Sequence, residues 1–91
     1  MKKHYHVFFS GMVQGVGFRY AAKNYAEKFA IRGWVANRSD GKVELDIEGE
    51  PSDINDFLNE LKKEFKSYIK NLESEELPCG GEYNDFRIRL Y

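Results

Sequence analysis

Apolar and polar positions alternate with different periods along the chain, and the changes of period mark the elements. His4-Tyr5-His6-Val7-Phe8-Phe9 is β-branched and aromatic enough for a first strand. Gly11-Met12-Val13-Gln14-Gly15-Val16-Gly17 follows, rich in glycine, and predicts a loop. From Phe18, apolar residues recur at Ala22, Tyr25 and Phe29, with Ala21 and Ala26 beside them, which is one face of a helix. Gly33 lies just past that helix, where glycine favours a chain reversal. Trp34-Val35-Ala36-Asn37 predicts a short strand, and Ser39-Asp40-Gly41 a hairpin turn. Val43, Leu45 and Ile47 then alternate with Glu44, Asp46 and Glu48, as in a strand with one buried and one solvated face. Pro51-Ser52-Asp53 starts a second helix, whose stripe is Ile54, Phe57, Leu58, Leu61 and Phe65. Residues 67–77 fit neither period, and Glu73-Ser74-Glu75-Glu76 predicts a solvated segment. After a turn at Pro78-Cys79-Gly80-Gly81, Phe86, Ile88 and Leu90 alternate with Arg87 and Arg89 in a last strand.

The order β-α-β-β-α-β predicts an α+β chain of the ferredoxin-like, split βαβ kind. Both helices have one apolar stripe and so cover one face of a four-stranded antiparallel sheet, in the spatial order 4-1-3-2. Residues 1–91 are expected to form a single domain. In that topology the first two strands run the same way with the third between them. The glycine loop and Asn37 then share one edge of the sheet, about 10 Å apart in backbone, a gap that side chains can bridge.

Composition narrows the function classes. The chain has 91 residues, 42% of them hydrophobic, which suffices for one core. Its formal net charge is −1, so it lacks the basic footprint of a generic nucleic-acid binder. Val7-Phe8-Phe9 is too short for a membrane span or a signal-peptide core. The single Cys79 cannot form an intrachain disulfide. The expectation is a cytoplasmic protein without a membrane partner. With the apolar stripes paired in the fold, a monomer is expected.

The glycine loop carries the candidate chemistry. Glycines let successive N–H groups point into one concavity, and the following helix start adds unpaired amides and the positive end of its dipole. Arg19, in the first turn, opposes that dipole unless an anion lies between them, and its planar fork suits phosphate or carboxylate oxygens. The features together suggest a phosphate-sized anion site; an ordinary connecting loop with a solvated arginine is the alternative. Nucleotide binding is disfavoured, because Gly15-Val16-Gly17-Phe18-Arg19-Tyr20 lacks a third glycine and no Lys-Ser/Thr pair follows.

Two stretches resemble the acylphosphatase family. Ser10-Gly11-Met12-Val13-Gln14-Gly15-Val16-Gly17-Phe18-Arg19 is similar to the loop S/G-G-x-V-Q-G-V-x-F-R. Gly33-Trp34-Val35-Ala36-Asn37-Arg38-Ser39-Asp40-Gly41-Lys42-Val43-Glu44 is similar to G-W/Y-V-x-N-x-x-D-G-x-V-E. Gly49 and the Phe86-Arg87-Ile88-Arg89 ending agree as well. Between about Ser67 and Tyr83 the chain departs from the family, with Lys66-Ser67-Tyr68-Ile69-Lys70-Asn71-Leu72 in place of a Gly-Pro-rich turn and a valine-rich strand. The resemblance implies hydrolysis of acyl phosphates to a carboxylate and inorganic phosphate, without metal or cofactor. It implies that the loop amides of Gln14, Gly15, Val16, Gly17, Phe18 and Arg19 and the Arg19 side chain bind phosphate, and that Asn37 positions the attacking water.

So few residues can suffice, because the leaving carboxylate has a pKa near 4–5, close to that of Asp or Glu, and departs unprotonated. Phosphoryl transfer is loose, and catalysis is mostly positioning and charge stabilisation. The Asn37 carbonyl oxygen can accept a hydrogen bond from water; the alternative for Asn37 is a residue that merely opens the following turn. His4 and His6 share a strand face, but no third ligand joins them at metal spacing in that strand, so they read as surface histidines. Cys79 reads as an incidental thiol. A non-catalytic anion-binding or regulatory module of the same fold remains an alternative. An RNA-binding module, suggested by Trp34, Phe8 and Tyr20, is disfavoured by the acidic balance and by the loop leading into a helix.

Overall fold

The structure is a computed structural model and describes residues 1–90; Tyr91, the end of the expected domain, lies outside the described residues. The elements in chain order are β1 (Lys3–Gly11), α1 (Phe18–Lys28), β2 (Arg32–Asn37), β3 (Val43–Gly49), α2 (Pro51–Glu64), β4 (Ile69–Leu77) and β5 (Phe86–Arg89). The α+β class, the first five elements and the central strand order β1-β3-β2 agree with the sequence pattern. The sheet, however, has five strands, in the order β4-β1-β3-β2-β5, not four. The place beside β1 belongs to residues 69–77, which fit neither period in the sequence and include the expected solvated segment Glu73-Ser74-Glu75-Glu76. The closing strand, expected in that place, lies at the other edge and pairs parallel to β2.

A bulge explains why β4 escaped the pattern. Phe9 faces Leu72 and Ser10 faces Asn71, but Gly11 faces Ile69, so Lys70 is skipped. Ile69 and Leu72 lie three apart, which in a regular strand puts them on opposite faces. With the bulge between them, both pack against the core. Glu73 to Glu76 are exposed as expected, and on an edge strand such charges discourage pairing with another chain.

The core lies between one sheet face and the helices. Val7, Phe9, Val35, Leu45 and Ile47 meet Phe18 and Ala22 of α1 and Phe57 and Leu61 of α2, all essentially without solvent exposure. Fully burying a side chain of this size contributes about 1.5–3 kcal/mol. Gly33 is not a reversal but a β2 residue with φ 138°, and a Cβ there would stand 1.8 Å from the Asp46 carbonyl oxygen. The chain instead turns at Ala30, with φ 57°. Among the described residues, no helix is long and apolar enough to cross a membrane.

The helix-free face of the sheet corrects a second expectation. Glu44, Asp46 and Glu48 point away from the core, yet all three are buried, and so is His4. Asp46 is held by His4 Nε2 at 2.5 Å, His6 Nδ1 at 2.6 Å and the Tyr83 hydroxyl at 2.6 Å. His6 Nε2 also meets Glu44 at 2.5 Å, and His4 Nδ1 meets the Pro78 carbonyl at 3.0 Å. Trp34 Nε1 donates to the Tyr83 oxygen, and the Glu82 amide donates to Glu48. The histidines are therefore structural and not loose surface residues. Burial opposes the charged form of His4, but the Pro78 carbonyl and Asp46 outweigh it and raise its pKa above the ordinary 6.5. Asp46 is lowered from 3.8, because bonds from Tyr83, His6 and His4 overcome its burial. Among the described residues, no group of His, Cys, Asp and Glu is arranged to hold a metal ion. Cys79 is exposed, with its sulfur 4.0 Å from a Glu48 oxygen.

Candidate active site

The loop between β1 and α1 is pinned at both ends by apolar side chains. Val13 has no solvent exposure, and Phe18, 2% exposed, packs on Phe9 and Phe65 at ring distances of 4.9 and 4.8 Å. Such aromatic pairs contribute about 0.5–1.5 kcal/mol beyond their buried area. The segment between these anchors is free to serve another purpose. Gly15 and Gly17 have φ of 77° and 82°, a backbone pattern that turns successive amides to one side. The backbone N–H groups of residues 14–17 donate to no described residue, and the first helical bond of α1 runs from Ala21 to Gly17. The amides of Phe18 and Arg19, inside the first turn, have no intrahelical acceptor either.

The two helices begin differently. Helix α2 opens with Pro51 and carries Asp53 in its first turn, the usual arrangement at a positive dipole end. Helix α1 opens at Gly17, without a side-chain cap or an acidic residue in its first turn, and places Arg19 there instead. Arg19 is half-buried and makes no hydrogen bond or ion pair with any described residue. Positive groups thus collect at this point without a protein anion to neutralise them.

Asn37 comes from the end of β2, which lies two strands away from β1 with β3 between them. Its backbone pairs with Val43, and its Oδ1 is buried without a hydrogen-bond partner among the described residues. Leaving such an acceptor unmet costs about 1–3 kcal/mol. Val13, Gly15, Gly17, Phe18, Arg19, Tyr20 and Asn37 enclose a cavity of about 90 Å³. One water accounts for about 30 Å³ of the liquid, and drug-sized ligands need roughly 300–1,000 Å³. The cavity therefore suits a small anion with a water. No carboxylate lines it, and Arg19 is its one charged lining residue.

Of the residues expected in the site, Gly15, Gly17, Phe18, Arg19 and Asn37 line this cavity. Gln14 and Val16 do not: the Gln14 side chain turns to the 38–42 turn, and Val16 leans on the core. Val13 and Tyr20 also line it. Val13 carries no signal that sets it apart from Met12 and Val16 in the same loop. Tyr20 is 70% exposed and has no signal of its own beyond following Arg19.

The five-stranded α+β sandwich thus carries unpaired amides and an arginine around a small cavity at the ends of its inner strands. Comparison with known proteins specifies the family. The acylphosphatase family model matches residues 5–88. An acylphosphatase of Bacillus pumilus is 42% identical over 87 residues, covering 94% of this chain and 97% of that one. The crystal structure of acylphosphatase from Bacillus subtilis superposes with a TM-score of 0.88 at 34% identity, covering 98% of this chain and 99% of the other. An acylphosphatase from Coxiella burnetii gives 0.85 at 35%, covering 97% and 93%. The chain belongs to the acylphosphatase family.

Proposed function

We propose how this acylphosphatase hydrolyses an acyl phosphate to a carboxylate and inorganic phosphate. The amides of residues 14–19 and the Arg19 guanidinium hold the phosphoryl oxygens, and Asn37 Oδ1 accepts a hydrogen bond from the attacking water. The reading rests on one observation: a cation and a buried acceptor, both unpaired, meet around one cavity of about 90 Å³. As water adds to phosphorus, the bond from phosphorus to the acyl oxygen breaks and the carboxylate leaves without needing a proton. The water's proton passes to a phosphate oxygen. Arg19 and the amides offset the charge on the equatorial oxygens, which is most of what a loose phosphoryl transfer needs. The cavity is too small to enclose an acyl group as well, so the acyl end projects to solvent and many acyl phosphates are accepted. We read residues 1–91 as one such domain, acting as a cytoplasmic monomer on small acyl phosphates without metal or cofactor.

The two side chains separate experimentally. Arg19→Gln should weaken inhibition by inorganic phosphate and lower turnover of benzoyl phosphate. Asn37→Ala should lower turnover by a similar factor, about 100- to 1,000-fold, while phosphate still binds. A folded Asn37→Ala protein with near-normal turnover would remove the water role, and undiminished phosphate binding by Arg19→Gln would remove the anion site.

A further inference from the structure

The cavity is assembled from two stretches of chain that share no strand, so something must set the distance between them. Gln14 stands in the loop, but its side chain leaves the cavity. Its Nε2 donates to the Arg38 carbonyl at 2.8 Å and to the Lys42 carbonyl at 3.0 Å. Both carbonyls belong to the turn that begins immediately after Asn37. That turn is itself closed by Arg38 N–H to Lys42 O at 2.8 Å and Gly41 N–H to Arg38 O at 3.2 Å. A primary amide has two N–H donors in one plane, so a single side chain can serve both carbonyls at once. Among the described residues, no other side chain of the loop 12–17 donates a hydrogen bond to this turn, and the bond is half-buried, where it is less exposed to competition from water.

We propose that Gln14 is a positioning residue: its side-chain amide clamps the anion loop to the turn after Asn37 and so fixes the water-orienting amide relative to the bound phosphoryl group. The inference rests on the roles assigned above to the loop and to Asn37. The backbone N–H of Gln14 can remain part of the anion cradle while its side chain acts as the clamp. Loss of the clamp therefore acts on the alignment of water and phosphorus more than on the grip on phosphate. A small misplacement of reacting groups is enough to lower a rate by one or two orders of magnitude.

Gln14→Met keeps length and volume but has no donor, and Gln14→Glu turns the donor into a pH-controlled one. The ionised carboxylate of Gln14→Glu faces two carbonyl oxygens and is repelled, which raises its pKa. Once protonated, its O–H restores one of the two bonds. With benzoyl phosphate as substrate, Gln14→Met should lower kcat about 10- to 100-fold at every pH, with phosphate inhibition changed by less than about threefold on the same reasoning. Gln14→Glu should be as impaired at pH 8, and its activity relative to the parent should rise several-fold on acidification to pH 5. Near-parental kcat in Gln14→Met overturns the proposal, as does a Gln14→Glu to parent ratio that is flat with pH, since a purely structural defect would not recover. Asn37→Ala measured alongside keeps the two ideas apart. If it retains turnover, the water role fails; if it is impaired while Gln14→Met is not, only the clamp fails.

Discussion

Two polar clusters occupy this small sheet, and they are built on opposite rules. On the helix-free face the buried polar side chains have partners: Asp46 is met by His4, His6 and Tyr83, and Glu48 by the Glu82 amide. Where the loop meets the end of β2, the Arg19 side chain and the Asn37 oxygen have none among the described residues, and the amides of residues 14–17 donate to no described residue. Buried polar groups are normally hydrogen-bonded because desolvation is otherwise uncompensated. The first cluster follows that rule and joins β1, β3 and the segment before β5. The second departs from it, and the unmet groups converge on one cavity where a ligand can meet them. The shifted His4 and Asp46 thus belong to the paired cluster, and the unpaired Asn37 oxygen to the other.

The contrast can be broken from either side. The largest effect should be the Arg19→Gln and Asn37→Ala losses of turnover, and the comparison sharpens them: neither variant should lose more than about 0.5 kcal/mol of unfolding free energy in urea, since neither side chain hydrogen-bonds a described residue. A large loss of stability would mean that these residues are structural after all. Asp46→Asn should behave in the opposite sense. Removing the buried anion shared by His4, His6 and Tyr83 should destabilise by about 3–5 kcal/mol, while the folded fraction retains kcat within about twofold. Tyr83→Phe removes one donor to Asp46 and leaves Trp34 Nε1 without its acceptor, and about 1–2 kcal/mol should be lost by the same measurement. The Tyr83 hydroxyl, pushed up to about 12 by burial and the Asp46 carboxylate, stays protonated throughout.

The smallest effect is a pH dependence of stability. His4 has a folded pKa raised above 6.5, so its contribution is fully present below 6.5 and is lost as pH rises through the raised value. Asp46 has a folded pKa lowered from 3.8, so its contribution is present above 3.8 and is lost as pH falls through the lowered value. Urea titrations should find the parent most stable between these limits. In His4→Gln the decline on the alkaline side should shrink; an unchanged slope would mean that His4 is not the group being titrated.

The pattern of residues made much of this legible. The helical stripe from Phe18 and the alternation Val43, Leu45, Ile47 depend only on local periodicity, and both elements form where the spacing puts them. The loop motif and Asn37 were readable because glycine conformations and a β-α-β-β-α-β order already bring them to one edge. What misled was longer in range. The bulge at Lys70 shifts the phase of β4, so Ile69 and Leu72 share a face without sharing a parity. The acidic side of β3 looked solvated because nothing local says that His4, His6 and Tyr83, from other parts of the chain, will cover it.

By itself, then, the sequence determined the elements other than β4 and the glycine-rich character of the loop after β1, since these follow from backbone preferences and hydrophobic spacing within a few residues. Only the tertiary structure decided which strand lies beside β1, that β5 closes the far edge parallel to β2, and that Gln14 reaches across to the Arg38 and Lys42 carbonyls. It also decided which polar groups end paired and which stay unmet. Pairing depends on residues tens of positions apart arriving at hydrogen-bond distance, and that is set by how the sheet packs, not by any local pattern.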